Sequence, residues 1–385
     1  MTIKPVIMLS TIRRARFQAG LSLVELLVGL LIGLIATLAI SNLFSGFEAR
    51  KRVIAGGADA QSNGVLAMYY IQRDAQNAGY GLPLYNSNDP SPMLCPLDTS
   101  INQNGVVINL SPVMIVDGGT DSDVVRIRYG NPPSGGASVR ATGNMNAPLL
   151  DSRLIGCQEN DIVLFHQTPA NPSCSMARVQ RLNPDRTINT LSELNTVPTA
   201  NPVTNLNGAE WVRFSCLGAW NQYEYRVNAS LELTRSGGSP GNNPFPNSAA
   251  IPVTSEIVAL QAQYGVSDTL DPAIVSATAS GFLNRVDRWV DATGLFGSGM
   301  TLIDRNRIRA IRVAVVARDS HLQKNNVSQA CNGQEQGLSR VCIWQADANP
   351  ANVDLTRLPN WQRYRYRTFE STIPLRNVLW NRDAL

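Results

Sequence analysis

The chain has 385 residues, of which 44% are hydrophobic and 16% charged, so it can bury the core of one large domain or two medium ones and is not a disordered tail. There are 33 basic and 29 acidic residues, but Lys4, Arg13, Arg14 and Arg16 lie within residues 1–20, where no acid is present. The other 29 basic residues balance the 29 acidic ones. Net charge therefore gives no reason to expect a nucleic-acid or anionic-surface partner.

The first elements are a basic leader, residues 1–20, and a largely apolar run from Leu21 to Phe44. The run exceeds the ~20 apolar residues that a helix needs to cross the hydrocarbon core of a bilayer. A secretory signal is cut at small residues after its apolar part, whereas Ser45, Gly46 and Phe47 offer no A-x-A site. We therefore expect residues 21–44 to stay in the protein as a transmembrane helix.

Glu25 is the one charged residue of this run. A carboxylate at membrane depth costs ~2.5–3.5 kcal/mol or more, so it finds a partner, reaches the interface or becomes protonated. The passage GLSLVELLV, residues 20–28, resembles the class III signal of type IV prepilins. The resemblance implies that a prepilin peptidase cuts between Gly20 and Leu21, and that the new Leu21 amine is methylated.

The same resemblance implies that Glu25 takes part in inter-subunit assembly, facing the N-terminal amine of a neighbouring subunit inside a fibre. Opposite charges in a low dielectric attract strongly and relieve each other's burial cost. The sequence departs from the family pattern at Leu21, where phenylalanine is usual, and in its long leader.

A helix is expected to continue beyond the run, because no proline follows until Pro83. We expect residues 45–79 to be amphipathic and to end near Gly79, a suitable C-terminal glycine, with Gly56-Gly57 as a weak point. The predicted buried face contains Val53, Ile54, Val65, Leu66, Tyr69, Ile71 and Ala75.

All six cysteines follow the apolar run, which indicates an oxidising compartment and places the C-terminal domain in the periplasm. No Cys-x-x-Cys pair occurs, and neither His166 nor His321 has metal-ligand spacing from a cysteine, so no metal site is expected. Six cysteines allow 15 connectivities, and the one local expectation is a Cys331–Cys342 bond. The disulfide candidates are Cys95, Cys157, Cys174, Cys216, Cys331 and Cys342.

From Tyr80 to the end, short alternating runs punctuated by Pro, Gly, Asn and Ser indicate antiparallel β-structure. The predicted fold class is α+β and pilin-like, with a long N-terminal helix packed on a disulfide-bonded β-rich domain, residues 80–385. A loop or sublobe boundary is expected near residues 236–250. The predicted strands are Asp123–Tyr129, Asp161–His166, Trp211–Ser215, Tyr223–Leu233, Glu256–Tyr264, Ile308–Ala317 and Tyr364–Phe369.

The sequence offers little support for catalysis or cofactor binding. Its G-x-S-x-G pattern, residues 237–241, lies in the breaker-rich stretch near 236–250 rather than between a strand and a helix, and there is no phosphate-binding loop, so neither enzyme activity nor a cofactor is expected. The acids Asp268, Asp271, Asp287 and Asp291 lack the order of a calcium loop. The run Arg363–Arg367 predicts a basic stripe with its tyrosines turned inward, which argues against base stacking and DNA binding.

Three passages resemble the PilW family of type IV pilus minor pilins: residues 73–81, Glu256–Val266 and Thr372–Trp380. The resemblance implies a subunit that joins other minor pilins and the major pilin, primes fibre assembly and caps the tip. It further implies roles in twitching motility or adhesion, a tip adhesin as partner, and passage from the inner membrane, with its assembly machinery, to the cell surface.

Two alternatives stay open at this point. A pseudopilin of a type II secretion system would share the signal and the architecture but support protein export. An anchored periplasmic binding protein or enzyme would keep its leader, and would leave the prepilin signal unexplained.

Overall fold

The structure is a computed structural model. It describes residues 22–82, 100–103, 106–109, 111–133, 135–144, 147–150, 156–167, 174–191, 195–196, 212–238, 249–269, 282–297, 299–305 and 307–378. The chain divides into two compact units, residues 1–55 and 56–385.

The secondary structure is one long helix followed by many short strands. Helix α1 spans Leu23–Gln76, the short helix α2 spans Leu302–Arg305, and 3₁₀ turns cover Gly294–Phe296 and Trp361–Arg363. The strands are β1 (Ser100–Gln103), β2 (Val106–Asn109), β3 (Val113–Val116), β4 (Val124–Tyr129), β5 (Ser138–Asn144), β6 (Ala147–Leu150), β7 (Ile162–Gln167), β8 (Cys174–Leu182), β9 (Ile188–Leu191), β10 (Asn195–Thr196), β11 (Val212–Gly218), β12 (Asn221–Val227), β13 (Leu233–Gly238), β14 (Ile251–Thr254), β15 (Ile257–Val266), β16 (Arg288–Val290), β17 (Ile308–Arg318), β18 (Ser328–Ala330), β19 (Ser339–Ile343), β20 (Ala351–Asn352) and β21 (Tyr366–Pro374).

Two antiparallel sheets form the main core of the second unit. The five-stranded sheet has the order β14-β13-β12-β4-β3, and the four-stranded sheet has the order β16-β15-β17-β21. Apolar side chains from both sheets and from residues 60–78 form one cluster, which includes Ile71, Tyr225, Tyr264 and Ile311. The protein therefore combines an N-terminal apolar helix with a β-rich, disulfide-bonded domain, an α+β fold.

The central strands β15 and β17 are buried along almost their whole length. One face of β17 packs in the main core through Val313 and Val315, and the other packs through Ala314 and Val316 against a second cluster that contains Trp344. Strands covered on both faces have near-continuous apolar sequences, which is the pattern of these two strands.

A third large sheet of the second unit is inserted between β4 and β12. Strands β6-β5-β11-β7-β8-β9 form a six-stranded antiparallel sheet with its own apolar cluster. The edge strands meet through a bridge between Leu149 and Thr187 and a 3.2 Å hydrogen bond from the Leu150 N–H to the Arg186 carbonyl. The sheet is thereby closed into a barrel, and we call it the inserted barrel.

Two disulfides lie among the described residues. Cys157 and Cys216, with Cα atoms 5.9 Å apart, join two parts of the inserted barrel. The expected bond between Cys331 and Cys342 is confirmed, with Cα atoms 4.8 Å apart. Cys95 lies outside the described residues, and so does the side chain of Cys174, which begins β8.

The predicted strands have counterparts in the structure, with two differences. The run Tyr223–Leu233 is not one strand but the hairpin of β12 and β13, because the chain turns at residues 228–232, where Leu231 has φ 60°. The last strand begins at Tyr366 rather than Tyr364, because Trp361–Arg363 form a 3₁₀ turn before it. Residues 239–248 of the expected loop lie outside the described residues.

The predicted buried face of the helix is wrong in most of its residues. Ile71 and Ala75 are buried, but Ile54, Val65, Leu66 and Tyr69 are exposed, and the Val53 side chain is outside the described set. The helix lies so close to the sheets that its inward face consists mainly of small residues, whose lack of bulk permits the approach. The buried residues of that face are Gly56, Ala60, Gly64, Ala67, Met68, Ile71, Asp74 and Ala75.

Gly56 and Gly57 are inside the helix rather than a break in it. A Cβ atom at Gly56 would overlap the carboxylate of Asp319, and one at Gly64 would overlap the ring of Phe369. Gly56 is therefore a site of close packing, while the boundary between the two compact units falls just before it, so the expected weak point stays a prediction. The helix ends at Gln76, and Gly79 has the left-handed φ of 77° that glycine adopts without strain.

Candidate functional site

The first candidate is the apolar part of helix α1, Leu23–Glu48. It has 26 residues, a mean hydropathy of 2.6 and none of its apolar window buried within the protein. By length and composition this segment can cross a membrane. Helical structure suits that environment because each backbone N–H and C=O is satisfied inside the segment.

Glu25 lies in the first turn of this helix and is exposed. Ser22 precedes the helix, and its carbonyl accepts the N–H of Leu26 at 3.1 Å. No hydrogen bond or ion pair joins Glu25 to another described residue. Within the described part of the chain, its carboxylate is therefore stabilised only by the partial positive charge at the N-terminus of the helix. Gly20 and Leu21 lie outside the described residues.

The second candidate is the buried polar cluster at the C-terminal end of α1, centred on Asp74. Asp74 is 0% exposed, although it lies in a helix beside the two sheets. The Tyr225 hydroxyl donates to its Oδ2 atom at 2.5 Å, and the Arg235 guanidinium approaches the same atom at 2.7 Å. Arg73 contacts the other oxygen at 3.2 Å. These contacts fix the helix to β12 and β13.

The electrostatics of the Asp74 cluster follow from its burial. Burial raises the pKa of Tyr225, and the nearby negative charge of Asp74 raises it further. The phenol is therefore held as a hydrogen-bond donor. Arg235 also stacks on the ring of Tyr223, with its guanidinium carbon 3.4 Å from the ring centroid. The cluster is a fully satisfied network, which is the condition under which buried charges hold a fold together.

Asp123 joins the five-stranded sheet to the four-stranded sheet. It is 2% exposed, and its carboxylate accepts the Gly118 N–H at 2.8 Å and the Ala262 N–H at 2.7 Å. Burial raises the pKa of Asp123 to about 6, against the lowering effect of these two hydrogen bonds. This carboxylate is structural, because both of its oxygens are engaged by backbone groups of its own fold.

The acids considered for calcium have other partners. Asp268 forms ion pairs with Arg288 and Arg307, and Asp287 accepts backbone N–H groups of residues 268 and 269. The hydrogen bond from Arg288, with that from Arg307, holds the pKa of Asp268 below its usual value. Asp291 accepts the Gln263 amide at 2.6 Å. Asp271 lies outside the described residues.

One group of metal-ligand type is present among the described residues: Cys157, Asp161 and Cys216. Both sulfurs belong to a disulfide, so neither is a thiolate that can bind a metal. Asp161 instead accepts the Gln158 N–H at 2.7 Å. His166 lies in β7 with its side chain outside the described set, and His321 hydrogen-bonds to Asp319.

A cavity of about 790 Å³ lies between the edge strand β3 and residues 292–300. The Ile115 N–H, which faces it, donates to the hydroxyl of buried Tyr264 at 2.6 Å, and Ser111 donates to the Val113 carbonyl at 3.0 Å. These side chains occupy one N–H and one carbonyl of the edge strand β3. The arrangement protects the edge from pairing with another strand.

The residues Arg363–Arg367 follow the predicted alternation in part. Arg365 and Arg367 are exposed, whereas Arg363 is half-buried and donates to the Gln323 carbonyl at 2.8 Å. Tyr366 donates to the Trp361 carbonyl, and Tyr364 lies under the guanidinium of Arg318. The aromatic rings are therefore engaged within the domain.

The apolar helix, with Glu25 as its charged residue, was predicted from the sequence, but the roles of Tyr225, Arg235 and Asp123 were not. A buried charge such as Asp74 can be suspected from its position between Ile71 and Ala75 on an inward helical face. Its partners come from strands far away in sequence, and single-sequence patterns carry no signal for that pairing.

A family model described as type IV pilus-assembly protein W, PilW, matches residues 227–377. The match contains Glu256–Val266 and most of Thr372–Trp380, two of the three passages that resembled this family, whereas residues 73–81 and the inserted barrel lie outside it. No curated protein and no solved structure matches the chain significantly. The matching family is one of type IV pilus assembly, and over residues 227–377, less than half of its length, the chain is similar to that family.

Proposed function

We propose that this chain is a minor pilin of a type IV pilus. In this proposal residues 1–20 are removed by the prepilin peptidase, Leu21 is methylated, and residues 21–44 hold the protein in the inner membrane. Residues 45–79 continue the helix, and residues 80–385 form the periplasmic domain. The subunit then leaves the membrane and joins other minor pilins and the major pilin, priming assembly and capping the fibre tip.

The observation that carries the proposal is the exposed apolar segment with a single carboxylate in its first turn. Leu23–Glu48 buries none of its apolar window within the chain, so this surface needs a bilayer or other apolar helices. In a fibre of such helices, the Leu21 amine of a neighbouring subunit would neutralise Glu25 and remove the cost of an unpaired buried charge.

The exposed side chains of the same helix beyond the apolar segment add support. Ile54 is 73% exposed, Tyr69 55% and Val65 51%, and Leu66 is also exposed. Bulky apolar residues that avoid the protein's own core are suited to contact with other subunits. The helix would thus use its small face for its own domain and its bulky face for its neighbours.

The proposal is tested by intact mass and N-terminal sequencing of the membrane-extracted protein, expressed with and without a prepilin peptidase. We expect a chain that begins at methylated Leu21 only when the peptidase is present. An intact Met1 leader in both cases would contradict the proposal and favour the anchored periplasmic protein.

A deletion strain distinguishes the pilus from the secretion system. Loss of twitching or adhesion with normal protein export supports the minor pilin, and restoration by the full chain links the effect to this protein. Loss of export with normal pili would instead assign a pseudopilin of a type II secretion system.

A further inference from the structure

The inserted barrel has a core of its own. Its apolar cluster includes Val163, Phe165, Val179 and Phe214 and shares no residue with the main core. Phe165 and Phe214 pack edge to face, with ring centroids 5.2 Å apart. A body with a separate core can unfold without the rest of the domain.

Closure gives the barrel a complete set of strand partners. Each of the six strands pairs with two neighbours once the Leu149–Thr187 bridge joins β6 to β9. A closed sheet has no edge that must be covered by another part of the protein. The Cys157–Cys216 disulfide lies wholly inside this body.

The chain enters and leaves the barrel through a narrow neck of residues 130–131 and 217–219. The Asn131 N–H donates to the Leu217 carbonyl at 3.1 Å, and the Ala219 N–H donates to the Asn131 side-chain oxygen at 2.6 Å. A Cβ atom at Gly130 would overlap the Leu217 carbonyl, so the two segments approach as closely as glycine permits.

On the other side of the neck, the pairing of β4 with β12 in the five-stranded sheet is not interrupted by the barrel. Asn221 of β12 pairs directly with Tyr129 of β4, and the register continues to Tyr225 and Val125. The insertion thus begins and ends at neighbouring positions of one sheet. Such a connection adds a body without changing the strand order around it.

We propose that the inserted barrel is an accessory domain that folds and unfolds independently of the main core and is dispensable for incorporation into the fibre. The parts of the structure then have different roles. The helix, the five-stranded sheet and the four-stranded sheet serve assembly, and the barrel supplies an additional surface on the assembled subunit. The part of this inference that concerns incorporation rests on the proposed function, whereas independent folding does not.

The test compares two truncations of buried side chains in the full chain, Phe214→Ala in the barrel core and Ile311→Ala in the main core. Amide hydrogen exchange is followed by mass spectrometry in membrane-extracted protein. For Phe214→Ala we expect exchange in β7, β8 and β11 to accelerate about 100-fold while β15 and β17 keep wild-type protection. Ile311→Ala is the matched control and should accelerate exchange in β15 and β17.

If Phe214→Ala accelerates exchange equally in β15 and β17, the two bodies unfold together and independent folding is refuted. Should this variant fail to accumulate, the double variant Cys157→Ala with Cys216→Ala supplies the same comparison through a different perturbation of the barrel. A failure of both variants to accumulate also overturns the proposal, because unfolding of an independent barrel would leave the main core folded and the protein present.

The second readout is the fraction of subunit found in purified fibres. We expect Phe214→Ala to be incorporated like the wild type. Loss of incorporation with β15 and β17 still protected overturns dispensability. Absence of the wild-type protein from fibres would instead refute the proposed function, and the exchange experiment would still decide whether the barrel folds independently.

Discussion

The Tyr225 hydroxyl donates a hydrogen bond of 2.5 Å to the carboxylate of Asp74, and this contact joins β12 to the helix at a point that solvent does not reach. Because Arg235 binds the same carboxylate oxygen, Asp74 is held by two strands at once. The helix is therefore fixed near its C-terminal end by charge as well as by packing.

Removal of the Asp74 carboxylate should be far more damaging than removal of the Tyr225 hydroxyl. Asp74→Ala leaves the half-buried Arg235 without its carboxylate partner, and we expect a loss of about 3–5 kcal/mol in the free energy of unfolding. Tyr225→Phe leaves both arginines on Asp74 and should cost about 1–2 kcal/mol. Chemical denaturation of the two variants measures the difference.

Arg73→Ala is the control for this pair, because Arg73 is largely exposed and contacts the same carboxylate. Its expected cost is about 0–1 kcal/mol. Equal losses for Asp74→Ala and Arg73→Ala would contradict the buried network.

The two adjacent glycines of the helix should respond in opposite directions to alanine. Gly56→Ala places a methyl group on the Asp319 carboxylate, and we expect a loss of about 1–3 kcal/mol from overpacking. Gly57→Ala meets nothing closer than Arg367 Nη2 at 3.8 Å, so we expect a gain of roughly 0.5–1 kcal/mol from helix propensity. Thermal unfolding of both variants decides the matter, and a gain for Gly56→Ala would show that the approach to Asp319 is not close.

The buried Asp123 should make the protein more stable as the pH falls from neutral towards 4. Its pKa is about 6 in the folded state against 3.8 for an ordinary aspartate side chain, so the folded state binds the proton more tightly. The stabilisation of the fold by protonated Asp123 is complete below the pKa of this group in the unfolded chain. It is lost as the pH rises through about 6, the pKa in the folded state. Two pKa units correspond to about 3 kcal/mol between pH 4 and pH 7.

The variant Asp123→Asn should lack this pH dependence. The difference in unfolding free energy between wild type and variant, measured by denaturant titration at several pH values, isolates the contribution of this one group. A difference that stays constant between pH 4 and pH 7 would refute the assignment.

Glu25→Val should reduce incorporation into fibres while leaving the leader processed. In the proposed function the Leu21 amine of a neighbouring subunit pairs with Glu25, and an apolar residue could not neutralise it, although the cleavage site itself is unchanged. Immunoblots of membrane and fibre fractions measure both steps. Glu48→Val, at the other end of the segment, is the matched control and should be incorporated normally; normal fibres with Glu25→Val would count against the pairing role.

Features that depend on residues close together in the chain could be predicted from the sequence. The apolar segment, the strands β4, β7, β11, β15 and β17, and the short-range bond between Cys331 and Cys342 each leave a signal in neighbouring residues. Most of the buried face of the helix was not predictable by hydrophobicity, since that face includes Gly56, Ala60 and Gly64. Close backbone approach selects for small size, and small residues carry little hydrophobic signal.

The inserted barrel was missed for a different reason. Its strands alternate like any others, but its closure depends on a pairing between Leu149 and Thr187, and its separation depends on the direct pairing of Tyr129 with Asn221. Both are contacts between distant residues. Patterns in one sequence specify which face of a strand is buried and do not specify the strand that lies beside it.

The neck of the inserted barrel has a consequence for the order of events during folding. Pairing of β4 with β12 closes a long loop, and the entropy of loop closure opposes it. Once the barrel has formed, its two ends are held together at Asn131 and Leu217, and the same pairing becomes a local event. Early folding of the barrel would thus speed the pairing of β4 with β12, although the folded five-stranded sheet does not depend on the barrel for its stability.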